Sequence, residues 1–178
     1  MKTIFADAFF YIAILNHRDA AHAEAVQWAE EFDGRMVTTE WVLMEVGDAL
    51  ARSQFLRAKF VQLMADLTAS ERTTIISSSH DLFAAGLELY AQRADKEWSL
   101  TDCISFVVMK REGLTDALTG DKHFEQAGFL KLLYRTQRPP SRSRSASVTA
   151  ASGIPALAVR IAVRAADGWP RPSNASAK

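Results

Sequence analysis

Short apolar runs alternate with segments of helical spacing over residues 1–134, and this alternation limits the fold more than any other feature of the chain. The short runs are rich in β-branched and aromatic residues, which favour strands. The segments between them place apolar residues three and four apart, which favours helices. We therefore predict an α/β domain with strands at Thr3–Ala6, Arg35–Thr38, Thr73–Ile76, Ala117–Thr119 and Lys131–Tyr134.

The charges divide the chain of 178 residues into two parts. Residues 135–178 contain eight Lys or Arg and one acid, whereas residues 1–134 contain 13 basic and 20 acidic residues. The tail also begins with a stretch rich in Pro, Ser and Arg that lacks a core-forming pattern. We predict one domain over 1–134 and a basic, largely disordered tail over 135–178, able to attract a polyanion or fold back on the acidic body.

The remaining bulk properties are those of a globular protein. A single cysteine, Cys103, excludes an internal disulfide framework, and we expect it to be an inert core thiol. The N-terminus carries no signal-peptide pattern, and no apolar run approaches the roughly 18 residues of a membrane span. We therefore expect a cytoplasmic protein without membrane contact.

Four acidic residues lie beside apolar segments where a predicted strand ends or a helix begins or runs: Asp7, Glu45, Asp102 and Asp121. Asp and Glu seldom occur in such surroundings unless something compensates their charge. In doubly wound α/β proteins, functional groups collect at the carboxyl ends of parallel strands, so one pocket can gather all four. Carboxylates this close repel one another unless a cation neutralises them, and oxygen ligands suit Mg²⁺ or Mn²⁺. The set predicts a metal-dependent hydrolase acting on phosphodiesters.

Each acid also has a purely structural interpretation. Asp7 is placed to cap a helix beginning near Phe9, and Asp102 is a helix-start acid favoured by the macrodipole. Glu45 fits a half-exposed helix position, and Asp121 fits a turn after Gly120. These alternatives remain open residue by residue, but the four together favour the metal site.

The set resembles the PIN-domain family, and within it the small VapC-like ribonucleases, over residues 1–134. The resemblance rests on the D-x-x-x-hydrophobic opening at Asp7, the SLTDCIS stretch around Asp102, and the T-x-D-x-H-F segment of Thr119, Asp121, His123 and Phe124. It implies a parallel sheet of four or five strands between helices and metal-dependent cleavage of single-stranded RNA. It also implies that Asp7, Glu45, Asp102 and Asp121 hold Mg²⁺ or Mn²⁺, and that a cognate antitoxin and a homodimer exist.

Neighbouring polar residues are candidates for supporting roles. The hydroxyls of Ser99, Thr101 and Thr119 are placed to orient carboxylates, with helix capping as the alternative for the first two. Arg93, Lys96 and Lys122 are candidate phosphate contacts. For His123 we favour a packing or surface role over proton transfer. For Asp116 we expect either a role in supporting the metal ligands or a structural one.

Two other functions compete with the nuclease. One is a non-catalytic RNA-binding module that uses the basic tail, but a degenerate site usually loses at least one acid. The other is a phosphatase-like hydrolase with an aspartyl intermediate, which lacks support because no second aspartate lies two residues after Asp7.

Overall fold

The computed structural model describes residues 1–133, in which strands and helices alternate along the chain. The strands are β1 (Thr3–Ala6), β2 (Arg35–Thr39), β3 (Thr73–Ile76), β4 (Asp116–Leu118) and β5 (Leu130–Lys131). The helices are α1 (Ala8–Leu15), α2 (His22–Glu31), α3 (Glu40–Leu50), α4 (Gln54–Ala69), α5 (His80–Gln92), α6 (Leu100–Arg111) and α7 (Lys122–Gln126). The predicted α/β fold is confirmed, and the predicted tail over 135–178 lies outside the described residues.

The five strands form one parallel sheet in the order β3-β2-β1-β4-β5. The central strand β1 is almost wholly apolar, and Ile4, Phe5 and Ala6 have no exposed surface. Near-continuous apolar runs of this kind are typical of parallel strands covered on both faces. The family-implied parallel sheet of four or five strands is therefore confirmed.

Hydroxyl side chains begin four of the helices in residues 1–133, as local hydrogen-bonding rules predict, and the fourth of these is Ser99 at the start of α6. Thr39, Ser53 and Ser79 each accept a hydrogen bond from a backbone N–H in the first turn that follows. Helix α6 ends where Gly113 adopts a φ of 65°, and the N–H of Leu114 then donates to the carbonyl of Met109 at 2.8 Å. That left-handed position favours glycine, so Gly113 is a suitable residue to end this helix.

Two segments differ from the sequence prediction. Strand β4 begins at Asp116 and ends at Leu118, because Thr119 turns away and its N–H donates to the carbonyl of Ala117 at 3.0 Å. The last strand within residues 1–133 is Leu130–Lys131, and its pairing with β4 starts at Asp116 and Leu130. Leu132 and Leu133 of the predicted strand Lys131–Tyr134 lie outside it, and Tyr134 lies outside the described residues. Helix α7 was not predicted, and its consequences for the site are described below.

Helix α6 is buried almost all round, as its apolar sequence predicts. Cys103, Phe106 and Met109 have no exposed surface, and Ile104 and Val108 have almost none. Residues 1–133 contain no helix with the length and apolar composition needed to cross a bilayer.

Candidate active site

The strand order reverses beside the central strand, and this point locates the candidate site. The chain goes from β1 through β2 to β3 on one side, and then returns to add β4 and β5 on the other side. In open parallel sheets, ligands bind outside the carboxyl ends of the strands at such a reversal. Asp7 directly follows β1, and Thr119 and Asp121 directly follow β4.

Asp7 is buried and held by a hydrogen bond from the far side of the reversal. Its residue is only 7% exposed, and its carboxylate accepts a hydrogen bond from the hydroxyl of Thr119 at 2.8 Å. Burial raises the pKa of Asp7 to about 7, and the charges of Asp102 and Glu45 add to the rise while the Thr119 bond opposes it. Asp7 occupies the N-cap position of α1, but its side chain makes no capping hydrogen bond.

Thr119 connects two of the predicted metal ligands. Its fully buried hydroxyl donates to Asp7 and accepts a hydrogen bond from the backbone N–H of Asp121 at 3.0 Å. The predicted role of this hydroxyl in orienting a carboxylate is confirmed. A buried hydroxyl with both a donor and an acceptor bond is fixed in direction, so it fixes Asp7 in turn.

Asp102 is the third residue of α6 and closes a reciprocal cap with Ser99. The Ser99 hydroxyl accepts from the N–H of Asp102 at 3.0 Å, and an Asp102 carboxylate oxygen accepts from the N–H of Ser99 at 2.8 Å. The interpretation of Asp102 as an acid at the start of a helix is thus confirmed, and it does not exclude a second role in the site. The same carboxylate oxygen lies 3.2 Å from Nδ1 of His123, so the cap also aims Asp102 at its partners in the site.

His123 lies in α7, the helix that the sequence did not predict, and Asp121 immediately precedes it. Asp121 is the N-cap and accepts a hydrogen bond from the N–H of His123 at 2.9 Å. The His123 side chain turns back, and its Nδ1 lies 3.4 Å from the other Asp121 carboxylate oxygen. One donor atom each from Asp102, Asp121 and His123 lies within 4.8 Å of the other two, a spacing that could hold a metal ion.

Glu45 projects from α3 toward the same group but is more exposed than the three aspartates. Partial burial of its carboxyl and the nearby charge of Asp102 raise the pKa of Glu45, with a smaller contribution from Asp121. A hydrogen bond from the Thr101 side chain opposes the rise. Glu45 is therefore close enough to sense two of the aspartates, although it lies outside the tightest group.

The four predicted acids thus lie at one edge of the sheet, two of them in a close group and two beside that group. Asp102 and Asp121 lie together with His123, whereas Asp7 and Glu45 flank them and are coupled to them by charge. Their roles in catalysis and metal binding stay predictions.

His123 was assigned a packing or surface role from the sequence, and its contact with two carboxylates corrects that assignment. The error follows from the missed helix, because only α7 turns the imidazole back toward Asp102. A signal was present: Asp121 is a favourable N-cap, and Gly128, with a φ of 92°, is a favourable stop. However, α7 has only five residues, which is too short to show a periodic pattern of apolar residues in the sequence.

An aromatic cluster holds α7 against the sheet. Phe124 is fully buried and lies 5.0 Å from Phe106 of α6 and 6.1 Å from Phe5 of β1, measured between ring centroids. Trp98 covers Phe106 at 5.0 Å. Because Phe124 lies in the core three residues after Asp121, its packing fixes the position of the first turn of α7.

The other charged candidates are engaged elsewhere. Arg93 and Lys96 both pair with Asp95, and Lys122 lies 4.0 Å from Glu97. Asp116, the first residue of β4, pairs with Lys2 at 3.0 Å at the opposite edge of the sheet. Of the two roles considered for Asp116, this ion pair favours the structural one.

Comparison with known proteins identifies the family. The model of the PIN domain matches residues 4–130. Two strains of Mycobacterium tuberculosis, CDC 1551 / Oshkosh and ATCC 25618 / H37Rv, each have a protein named 23S rRNA-specific endonuclease VapC20 that is 30% identical to this chain over 130 residues. The match covers 72% of this chain and 97% of each relative.

A solved structure gives the same result. The crystal structure of Mycobacterium tuberculosis VapC20, described as a sarcin-ricin loop cleaving toxin, superposes with a TM-score of 0.66 and 28% sequence identity. The aligned region covers 73% of this chain and 98% of the solved chain. The resemblance to VapC-like ribonucleases is confirmed, and the chain belongs to the PIN domain family.

Proposed function

We propose that this chain is an endoribonuclease that depends on a divalent cation and hydrolyses phosphodiester bonds of single-stranded RNA. The observation that carries the proposal is the coupled set of four acids at the reversal of the sheet. Asp7 is buried there with a pKa raised to about 7, beside Asp102 and Glu45. A buried carboxyl whose pKa is strongly raised and which lies beside other acids favours a functional site over a structural one.

A divalent cation fits the groups that are present. The carboxylates of Asp102 and Asp121 supply hard oxygen donors, and Asp7 and Glu45 supply more negative charge close by. Such donors select Mg²⁺ or Mn²⁺ over softer metals, although one imidazole nitrogen lies in the same group. We assign Asp7, Glu45, Asp102 and Asp121 as the residues that would hold the ion.

The bound cation would supply Lewis-acid stabilisation of the phosphoryl charge and lower the pKa of the attacking water. The chain itself would hold the carboxylates in the orientation that the reaction needs. Thr119 fixes Asp7, and the cap at Ser99 fixes Asp102, so both carboxylates are oriented before any ligand arrives. Glu45 is the most exposed of the four acids and is therefore best placed to orient a water molecule at the open side.

The relatives suggest which RNA to test first. VapC20 is named for action on 23S rRNA, and its solved structure is described as that of a toxin. We propose 23S rRNA as the first substrate to examine, and an antitoxin as the partner that would block the site. The described domain is acidic, so it would have to approach RNA with its own charges compensated.

The experiment is cleavage of labelled RNA by the full chain with Mg²⁺ or Mn²⁺, followed by the same assay in EDTA. We expect cleavage with the metal, none in EDTA, and none with Asp102→Asn. The matched control is Asp116→Asn, which makes the same change at the opposite edge of the sheet and should leave cleavage intact.

Two outcomes would contradict the proposal. Full cleavage by Asp102→Asn would remove the proposed role of the site. Metal-independent RNA binding without cleavage, weakening steeply with salt, would favour the non-catalytic binding module instead.

A further inference from the structure

The imidazole of His123 lies between two of the proposed metal ligands. Its Nδ1 is 3.2 Å from Oδ2 of Asp102 and 3.4 Å from Oδ2 of Asp121. The side chains of His123 and Asp102 are only 17% and 13% exposed, so water screens their interaction weakly. Whether this nitrogen carries a hydrogen therefore decides how it acts on both carboxylates.

The two oxygens beside Nδ1 require it to be a hydrogen-bond donor. A carboxylate that is to bind a metal ion is ionised, and an ionised carboxylate only accepts hydrogen bonds. A nitrogen lone pair directed at two such oxygens would be repelled by both, whereas an N–H at the same distances is attracted to both. Nδ1 of His123 therefore carries a hydrogen.

A nitrogen that carries a hydrogen is not a metal ligand. Coordination by imidazole uses the lone pair of a neutral ring nitrogen, and on Nδ1 the hydrogen takes that position. Nδ1 lies within 4.8 Å of a donor oxygen from Asp102 and of one from Asp121, but this distance alone does not make it a ligand. The close group thus consists of two carboxylate ligands and one hydrogen-bond donor.

His123 contacts both oxygens of Asp121. Its backbone N–H donates to Oδ1 at 2.9 Å, and its ring nitrogen approaches Oδ2. On Asp102, the N–H of Ser99 and the imidazole both contact Oδ2, which leaves Oδ1 for a ligand. Each carboxylate oxygen has about two acceptor positions, so an oxygen in contact with His123 is still able to bind a cation. One residue thus orients both carboxylates and leaves them open to a metal ion.

We propose that His123 is a positioning residue, whose Nδ1–H bridges Asp102 and Asp121 and holds them at the spacing that a divalent cation needs. His123 does not bind the cation itself. The inference rests on the proposed metal-dependent function. Two neighbouring carboxylates repel each other before the ion arrives, and a donor shared between them reduces that repulsion. Losing such a support to metal ligands commonly lowers metal affinity by about 10–100-fold.

The first test is the affinity of the full chain for Mg²⁺, measured by calorimetry for the natural sequence, His123→Leu and His123→Asn. Asparagine carries its amide nitrogen on Cγ, as histidine carries Nδ1, so it keeps a donor at the same place, whereas leucine has none. We expect Mg²⁺ binding at least about tenfold weaker for His123→Leu, and recovery of most of the affinity with His123→Asn. Circular dichroism checks that each variant is folded.

The matched control is His22→Leu. His22 is also partly buried, and its Nδ1 lies 2.7 Å from the carbonyl oxygen of Ala13, outside the site. The substitution removes a comparable imidazole contact, so any effect on the stability of the fold is shared with His123→Leu. Only the loss at His123 should change the affinity for Mg²⁺.

The second test separates positioning from coordination and does not depend on activity. Two-bond ¹H–¹⁵N spectra of the ¹⁵N-labelled chain distinguish a ring nitrogen that carries a hydrogen from one that does not. The signals of His123 are assigned by their absence in His123→Asn. We expect Nδ1 to carry a hydrogen both in EDTA and with Mg²⁺ bound.

Three results would overturn the inference while Mg²⁺ still binds the natural chain. These are unchanged affinity in His123→Leu, a loss that His123→Asn does not recover, and an Nδ1 without a hydrogen in the Mg²⁺-bound chain. Failure of the proposed function gives a different result, because the natural chain would then bind no Mg²⁺ at all.

Discussion

Replacing Asp7 with Asn should stabilise the metal-free protein at neutral pH, even though the same change should abolish cleavage. In the folded chain, burial raises the pKa of the Asp7 carboxyl from 3.8 to about 7. In the unfolded chain the carboxyl returns to water and to its ordinary pKa. Folding at neutral pH must therefore either bury a charge or take up a proton, and a neutral amide avoids that cost.

The pH dependence gives the sign and the magnitude. Below pH 3.8 the carboxyl is protonated in both states, so Asp7 has no ionisation cost. Between that pH and about 7 the folded state holds the extra proton, and the stability of the natural chain falls as the pH rises. A shift of about three units at 1.36 kcal/mol per unit sets an upper limit of about 4 kcal/mol for the gain in the variant.

The assay is urea unfolding followed by circular dichroism, in EDTA, at several pH values from 4 to 8. Asp116→Asn is the control, because it removes an aspartate from the same sheet at the opposite edge. The reasoning would be refuted if Asp7→Asn were no more stable than the natural chain near pH 7.5, or if its gain were the same at pH 4. Adding Mg²⁺ should stabilise the natural chain selectively, since the ion binds only the folded state.

Three further predictions follow from the contacts of the site. Asp102→Asn should weaken Mg²⁺ binding by at least about tenfold in calorimetry, whereas unchanged affinity would exclude Asp102 as a ligand. Thr119→Val removes the hydrogen bond that lowers the pKa of Asp7, so the pH at which cleavage sets in should move upward; an unshifted pH–rate profile would contradict this. Phe124→Ala should lower the free energy of unfolding by about 3–5 kcal/mol and reduce cleavage, and equal stability in urea would show that α7 is held in another way.

The elements and the position of the acids could be predicted because both depend on local patterns. Strands and helices differ in the spacing of their apolar residues, so they can be told apart in the sequence. The place of each acid in the fold then follows from the strand or helix beside it. Asp7 after β1 and Asp121 after β4 are examples, since neighbouring carboxyl ends of a parallel sheet have to meet at one edge.

The contacts inside the site could not be predicted, because they join distant parts of the chain. The bond from Thr119 to Asp7 spans 112 residues and exists only because β4 pairs with β1. The approach of His123 to Asp102 depends on Phe124 being packed under α7. A single sequence carries no record of which strands pair or which ring fills the core at that point.

The two ends of the described chain lie at opposite edges of the sheet. Lys2, just before β1, pairs with Asp116 at the edge far from the acids, whereas the N–H of Leu133 donates to the carbonyl of Thr119 at 3.1 Å. Whatever follows Leu133 therefore starts beside the residue that holds Asp7. An affinity tag or fluorescent label fused before Met1 would begin remote from the carboxylates, while a truncation near residue 134 would place the new C-terminal carboxylate close to Thr119.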